Sequence, residues 1–171
     1  MTTDRTDLDA AKRRYADDLE NGHRYVSSAH RMTQQEIIEF ARQYDPQYLH
    51  LDAEAARASS FGGLIASGLQ SVALCWKLAQ ATGVFDGMVL AGIGLDEIRW
   101  HKPVYVGDEV RVEFSLLESR RSQSRPDCAI TKFLYEMKNQ RDERVLSLKM
   151  LQLMRARPQS ETSSTIPQRN P

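Results

Sequence analysis

Two stretches of this chain organise the rest of it: Tyr44-Asp45-Pro46-Gln47-Tyr48-Leu49-His50, and Phe61-Gly62-Gly63-Leu64-Ile65-Ala66-Ser67-Gly68. The first places a carboxylate and an imidazole five residues apart, with a proline between them that an uninterrupted helix does not tolerate. The second leads from a pair of glycines into a long apolar run. Together they predict a polar bend followed by a long helix.

The bend is bounded by two helices whose ends can be read from the sequence. Thr33 opens the first helix with a capping-box pattern, and Pro46 disfavours the α conformation at the residue before it, so this helix should end at about Asp45. Asp52 is placed to cap a second, short helix. Asp45 and His50 can therefore converge on one side of the bend, within the reach that proton transfer requires. Spacing alone leaves that convergence open.

Downstream of the bend, the pattern predicts one long helix and a series of antiparallel strands. Residues 65–81 are apolar around most of a helical surface, which is typical of a helix enclosed by other elements. Strand-like segments lie at 23–32, 89–100, 110–116, 129–137 and 145–154. We expect an α+β fold in which an antiparallel sheet of about five strands wraps around one central helix. Its open sheet edge favours a homodimer, or a higher oligomer built of dimers.

Composition and charge narrow the possible classes of function. The 171 residues include 23 basic and 23 acidic ones, so no net charge attracts nucleic acid or an anionic membrane. Cys75 and Cys128 do not form the framework of a disulfide-rich secreted protein. No stretch approaches the ~18 apolar residues of a membrane span, and the first residues lack the apolar core of a signal peptide. We expect a cytoplasmic protein without membrane or nucleic-acid partners.

The chain divides into three parts by composition. Residues 1–21 form a charged N-terminal segment, and residues 22–154 form a single domain. Residues 155–171 are rich in Pro, Ser, Thr and Gln, a composition typical of a disordered tail.

The motifs of the domain resemble those of the MaoC-like dehydratases of the hot-dog fold, which include the (R)-specific enoyl-CoA hydratases. Four blocks carry the resemblance in the family's order: the Asp45–His50 motif, Phe-Gly-Gly-x-Ile-Ala-x-Gly at 61–68, Gly-Leu-Asp-Glu-Ile-Arg-Trp at 94–100, and Lys-Pro-Val-x-Val-Gly-Asp at 102–108. The chain departs from the family pattern at three positions. Gln47 stands where the motif has Asn, Tyr48 where it has Pro, and Ser67 where many members have His.

The resemblance implies hydration of a trans-2-enoyl thioester to an (R)-3-hydroxyacyl thioester, or the reverse dehydration. Asp45 and His50 would hold and activate a water, one taking its proton while the other delivers a proton to the α-carbon. The backbone N–H of Gly68 would stabilise negative charge on the thioester oxygen, aided by the positive end of the helix. The substrate would be an acyl-CoA or carrier-protein thioester, whose phosphopantetheine belongs to the substrate, with no separate cofactor. The other three histidines lack the spacing of metal ligands, so we expect no metal.

Further residues near these motifs are candidates for substrate contact: Gln47, Tyr48, Ser67, Leu69 and Trp76. Several of them have a purely structural explanation as well. Ser67 is placed to cap the long helix, Leu69 and Trp76 to pack in a core, and Gly68 to allow close packing of the helix.

Two other functions stay open on the sequence alone. A turn cap explains Asp45 and a packed interior explains His50, so a non-catalytic hot-dog protein that binds an acyl thioester or a partner fits the altered motif. A thioesterase is the weaker alternative, because the Asp–His spacing matches hydratases. Trp100 and His101 fit either the entrance of a site or a strand end that faces a partner subunit.

Overall fold

The computed structural model describes residues 15–158 of the chain. Residues 1–14, which make up most of the charged N-terminal segment, and residues 159–171 of the C-terminal tail lie outside the described part. The limits predicted for the single domain and for the disordered tail therefore stay predictions.

Within residues 15–158 the chain forms one antiparallel sheet of six strands. The strands are β1 (Arg24–Val26), β2 (His30–Arg31), β3 (Val89–Trp100), β4 (Glu109–Arg121), β5 (Cys128–Lys138) and β6 (Arg144–Arg155). Their order is β1-β4-β5-β6-β3, and β2 pairs with the beginning of β4. From Ala129 onward, buried and partly buried residues alternate along β5, so that one row of side chains faces the core. The predicted α+β architecture is confirmed, and its weak first segment forms two short strands.

Four helices lie between β2 and β3: α1 (Gln34–Tyr44), α2 (Tyr48–Leu51), α3 (Ala53–Arg57) and α4 (Gly68–Gln80). Thr33 caps α1 by accepting the Glu36 N–H at 3.2 Å, and Asp45 ends that helix. The Asp52 carboxylate caps α3 by accepting the N–H groups of Glu54 and Ala55 at 2.9 and 3.0 Å. Both predicted caps are confirmed. None of the helices within residues 15–158 is long and apolar enough to cross a membrane.

The central helix α4 is shorter than the apolar run that predicted it. We expected a helix over 65–81, but α4 begins three residues later, at Gly68. Ile65 forms an isolated β-bridge, and the Ala66 N–H donates to the carbonyl of Val104 at 2.8 Å. The backbone at these residues is therefore paired with the segment after β3, and this tertiary pairing replaces the helical hydrogen bonds.

The core lies between α4 and the sheet. The buried face of α4 carries Leu74, Cys75, Leu78 and Ala79. Aromatic rings pack beneath it, with centroid distances of 5.2 Å for Phe85–Phe114, 5.3 Å for Phe85–Phe133 and 5.4 Å for Phe114–Tyr135. Burial of this apolar surface, at roughly 25 cal/mol per Å², is the main stabilising contribution to the fold.

Strand β3 forms one edge of the sheet and is open to solvent. Its pairing with β6 is interrupted by three irregularities, and Glu97 takes a positive φ of 51° at one of them. Large apolar side chains nevertheless face solvent along it: Leu90, Ile93, Leu95 and Trp100. This edge is the surface that the predicted dimer would cover, and dimerisation stays a prediction.

Candidate active site

Asp45 and His50 come together at the bend between α1 and α2. Asp45 is the C-terminal cap of α1, and His50 lies in the single turn of α2. The Nε2 atom of His50 is 3.4 Å from Oδ2 of Asp45. The convergence that the sequence left open is therefore present, and Pro46 accounts for it because it stops α1 immediately before the turn.

The Asp45 carboxylate accepts two hydrogen bonds besides its contact with His50. Ser67 donates through Oγ to Oδ2 at 2.6 Å, and Gln47 donates through Nε2 to Oδ1 at 2.7 Å. The Ser67 bond, followed by the Gln47 bond, lowers the pKa of Asp45 below its ordinary value, and these bonds outweigh the opposing effect of partial burial. Asp45 is thus an anion at neutral pH.

A backbone carbonyl orients His50. Its Nδ1 lies 2.8 Å from the carbonyl oxygen of Ile65, and only 6% of the residue is exposed. Because a carbonyl oxygen can only accept, Nδ1 must carry a hydrogen. Nε2, which faces Asp45, is then the ring atom that can take up or release a proton.

The first turn of α4 lies beside the carboxylate. The Ser67 hydroxyl caps this helix by accepting the Leu69 N–H at 3.1 Å, while its own hydrogen goes to Asp45. The N–H of Gly68 has no hydrogen-bond partner in the described part of the chain. A free N–H at this position lies at the positive end of the helix dipole. The arrangement therefore offers a donor for negative charge that develops next to Asp45.

Close packing against Trp100 explains why residue 68 is a glycine. A Cβ atom on Gly68 would lie 2.7 Å from Nε1 of Trp100, closer than real side chains approach. The same indole nitrogen donates a hydrogen bond to the carbonyl of Gly68 at 3.0 Å. Gly68 is thus closely packed, as one of the two explanations from the sequence expected, and its packing partner is the indole ring of Trp100. It leaves the N–H of Gly68 free.

The remaining candidates for substrate contact lie at different depths. Tyr48 and Leu69 are exposed and are close in sequence to His50 and Gly68, respectively. Trp76 lies two helical turns beyond Gly68, about 12 Å along α4. Its ring stacks on Phe85 with centroids 5.7 Å apart, at the margin of the core. Contact of these residues with substrate stays a prediction.

Three interactions at the site were not predicted. The predicted cap of α4 by Ser67 is confirmed, but the bond from its hydroxyl to Asp45 was not foreseen. Ser67 is fully buried, and its contact with substrate stays a prediction. The carbonyl of Ile65 has no sequence signal because every residue carries one. Trp100 contacts Gly68, which lies 32 residues earlier in the chain. The only sequence signal for a role of Trp100 was its position at the end of a predicted strand.

A metal site requires several side chains that can bind one ion together. Residues 15–158 contain no cluster of three His, Cys, Asp or Glu side chains arranged to hold a metal ion. That the protein uses neither a metal nor a separate cofactor stays a prediction.

Several known proteins are similar to this chain in sequence and in fold. Residues 19–136 match the protein family described as MaoC like domain. The uncharacterized protein YdeM of Bacillus subtilis is 32% identical over 130 residues, which are 75% of this chain and 90% of YdeM. The 3-hydroxyacyl-thioester dehydratase Z of Mycobacterium tuberculosis (strain H37Rv) is 39% identical over 88 residues, 50% of this chain and 58% of that protein.

The same relationship holds in three dimensions. The crystal structure of the MaoC-like dehydratase from Rhodospirillum rubrum matches with a TM-score of 0.77 and 39% sequence identity, covering 85% of this chain and 99% of that one. The architecture is the hot-dog fold that the motifs implied. Since the family match extends over most of the described residues, this chain belongs to the MaoC-like dehydratase family.

Proposed function

We propose that the protein adds water to a trans-2-enoyl thioester, or catalyses the reverse dehydration of a 3-hydroxyacyl thioester. One observation carries the proposal: the Asp45 anion and Nε2 of His50, 3.4 Å apart, lie beside the helix that begins with the free N–H of Gly68. Membership of the family and similarity to a dehydratase named for 3-hydroxyacyl thioesters support the same reaction.

A water molecule bound between Asp45 and His50 is the proposed nucleophile. It donates one hydrogen to Oδ2 of Asp45 and the other to Nε2 of His50, so that an oxygen lone pair can attack the β-carbon. As the C–O bond forms, the second hydrogen moves to Nε2, and the electrons of the C=C bond shift toward the thioester oxygen. The imidazolium then returns this proton to the α-carbon as the enolate collapses.

The two side chains have different roles in this scheme. The hydrogen bonds that lower the pKa of Asp45 make it a poor proton acceptor at neutral pH. It therefore holds the water and stabilises the imidazolium, while His50 performs both proton transfers. The family resemblance had implied instead that the two residues share these transfers.

The N–H of Gly68 is the proposed donor to the thioester oxygen. It is fixed by the first turn of α4, so it needs no reorganisation as negative charge develops. Removal of one such donor typically lowers kcat by about 10²–10³. The substrate is an acyl-CoA or a carrier-protein thioester, and the proposed hydration product is the (R)-3-hydroxyacyl thioester.

The proposed assembly is a homodimer formed along β3. A second copy would pair with the open backbone of this edge and bury the apolar side chains of Leu90, Ile93 and Leu95. Because Trp100 closes β3 and touches Gly68, the interface and the site would adjoin. Light scattering after gel filtration tests this, and a monomeric mass at micromolar concentration would contradict it.

The reaction is tested by following the loss of enoyl absorbance with crotonyl-CoA and longer enoyl-CoAs. His50→Ala should lower kcat/KM by about 10²-fold or more, the usual range for loss of a proton-transfer group. Asp45→Asn should cause a loss of about 10²-fold as well, because it removes the negative charge that holds the water and stabilises the imidazolium. Asp86→Asn and His23→Ala are the matched controls, because Asp86 lies between α4 and β3 and His23 just before β1, outside the bend. Both should keep the wild-type rate.

The products separate the proposal from its alternatives. Chiral analysis should find the (R)-3-hydroxyacyl thioester, and replacement of CoA by a carrier protein identifies the natural carrier. Release of a free thiol without hydration would assign a thioesterase. If the folded wild type turns over none of these thioesters, the hydratase proposal is wrong, and binding without turnover would then assign a non-catalytic thioester-binding protein.

A further inference from the structure

The indole of Trp100 is seated on the backbone of the first turn of α4. Its Nε1–H donates to the Gly68 carbonyl at 3.0 Å. The ring is so close that a Cβ on Gly68 would lie 2.7 Å from Nε1 and 2.8 Å from Cε2. Only a residue without a side chain fits beneath the ring at this position. The hydrogen bond and the glycine are therefore two parts of one contact.

This contact is one end of a continuous chain of hydrogen bonds. The peptide group that joins Gly68 to Leu69 accepts the Trp100 N–H at its carbonyl and donates its own N–H to the Ser67 hydroxyl at 3.1 Å. That hydroxyl in turn donates to Oδ2 of Asp45 at 2.6 Å. Both polar ends of one peptide group are thus fixed, and bonds arranged in series polarise one another.

We propose that Trp100 is a positioning residue of this site, which holds the Gly68–Leu69 peptide and, through it, the oxyanion donor and the Ser67 hydroxyl that binds Asp45. The inference rests on the proposed hydratase function. In this arrangement the indole does not act on substrate. It sets the direction of the Gly68 N–H, because that group lies one bond from the Cα against which the ring packs.

Exposure of the ring makes this role separable from core packing. Trp100 is 53% exposed at the end of the edge strand, so loss of its N–H leaves the buried core intact. Trp100→Phe keeps an aromatic side chain at this position, but removes the donor and replaces the indole by a smaller ring. Tyr105→Phe is the matched control, since it removes another aromatic donor to a backbone carbonyl, at 2.9 Å to Phe61, outside this chain of bonds.

Trp100→Phe should lower kcat by about 2- to 10-fold, the range expected for one neutral hydrogen bond, with KM little changed. Tyr105→Phe should keep the wild-type kcat. Equal kcat in wild type and Trp100→Phe would overturn the positioning role. A higher KM with an unchanged kcat would overturn it too, because that result indicates substrate contact.

A double-mutant cycle tests the contact directly. Gly68→Ala should reduce kcat by at least about tenfold when Trp100 is present, because the new methyl group displaces the ring, whereas it keeps the backbone N–H. In a Trp100→Ala background the same substitution should add little further loss, since no ring is left to displace. Equal losses in both backgrounds would mean that Gly68 is required for another reason and would contradict the inference.

The two proposals fail in distinguishable ways. If wild type hydrates no enoyl thioester, the proposed function is wrong and the role of Trp100 falls with it. If wild type is active and the cycle is additive, only the role of Trp100 is wrong. Circular dichroism shows which variants fold. If Trp100→Ala does not fold, the kcat of Trp100→Phe alone tests the role of Trp100.

Discussion

Ser67 joins helix stability to the ionisation of Asp45, so Ser67→Ala is expected to change both. Its buried hydroxyl accepts the Leu69 N–H at 3.1 Å and donates to Oδ2 of Asp45 at 2.6 Å. The substitution removes both bonds and introduces no new polar group. Ser71→Ala is the matched control, because the Ser71 hydroxyl is also buried in α4 but donates its hydrogen bond to the carbonyl of Ser67 rather than to a carboxylate.

The magnitude follows from the kind of bond that is lost. A hydrogen bond to a charged group contributes about 1.5–3 kcal/mol, so kcat/KM at pH 7 should fall about 10- to 150-fold if the carboxylate loses its fixed orientation. Separately from this effect on the rate, loss of the helix cap should lower the free energy of unfolding by ~1 kcal/mol. Ser71→Ala should change kcat/KM by less than about twofold, because a net contribution of ~0.5 kcal/mol or less is expected for its weaker, 3.2 Å bond.

The pH dependence of stability separates the two contributions. The Ser67 bond lowers the pKa of Asp45 in the folded state, so this bond stabilises the fold fully above the unfolded pKa of about 3.9 and less as pH falls through the folded value. The difference in unfolding free energy between wild type and Ser67→Ala should therefore be larger at pH 7 than at pH 3. For Ser71→Ala the difference should not depend on pH.

Urea unfolding at the two pH values measures these differences, and the enoyl-CoA assay measures the rate. A Ser67→Ala protein with wild-type kcat/KM would show that the hydroxyl does not position Asp45 for catalysis. A loss of stability that is the same at pH 7 and pH 3 would show that the hydroxyl acts only as a helix cap. Either result would refute the linkage argued from the structure.

Other substitutions test neighbouring parts of the same reasoning. Gln47→Ala should raise the pKa of Asp45 less than Ser67→Ala does, and NMR titration of the carboxyl group would contradict this if the larger shift belonged to Gln47. Phe114→Ala should lower the free energy of unfolding by about 3–5 kcal/mol in urea, because it empties the middle of the aromatic core, whereas Leu117→Ala, on the exposed part of β4, should stay within about 0.5 kcal/mol. Burial raises the pKa of the Cys75 thiol to about 12, so iodoacetamide should label it only in urea, and labelling of the native protein would contradict its burial.

Sequence rules predicted the elements whose signals are local. Pro46 marked the end of α1 and Asp52 the start of α3, because both act on residues within one turn of themselves. The strand-like segment at 129–137 likewise predicted β5 to within one residue at each end. The predicted start of α4 was wrong because Ile65 and Ala66 continue the apolar pattern of the helix, while their backbone pairs with the distant residues Val104 and Tyr105. No local signal reports that competition.

The candidate site divides in the same way. The motif allowed Asp45 and His50 to meet because they share one bend, and the structure shows that they do. The groups that orient them come from far along the chain: the Ile65 carbonyl is 15 residues from His50, and the Ser67 hydroxyl is 22 residues from Asp45. Backbone carbonyls and capping hydroxyls occur in every fold, so their use here could be recognised only once the chain was folded.

The same capping geometry explains how a serine can stand where many relatives have a histidine. A hydroxyl on a short side chain can accept a backbone N–H and donate to a carboxylate at once, so Ser67 begins α4 and fixes Asp45 with a single atom. A neutral imidazole divides these functions between two nitrogens more than 2 Å apart, and could not make both bonds from one place. Ser67→His should therefore lose the helix cap, the Asp45 bond or both. If it kept the unfolding free energy and the kcat/KM of wild type, Asp45 would not depend on the cap of α4.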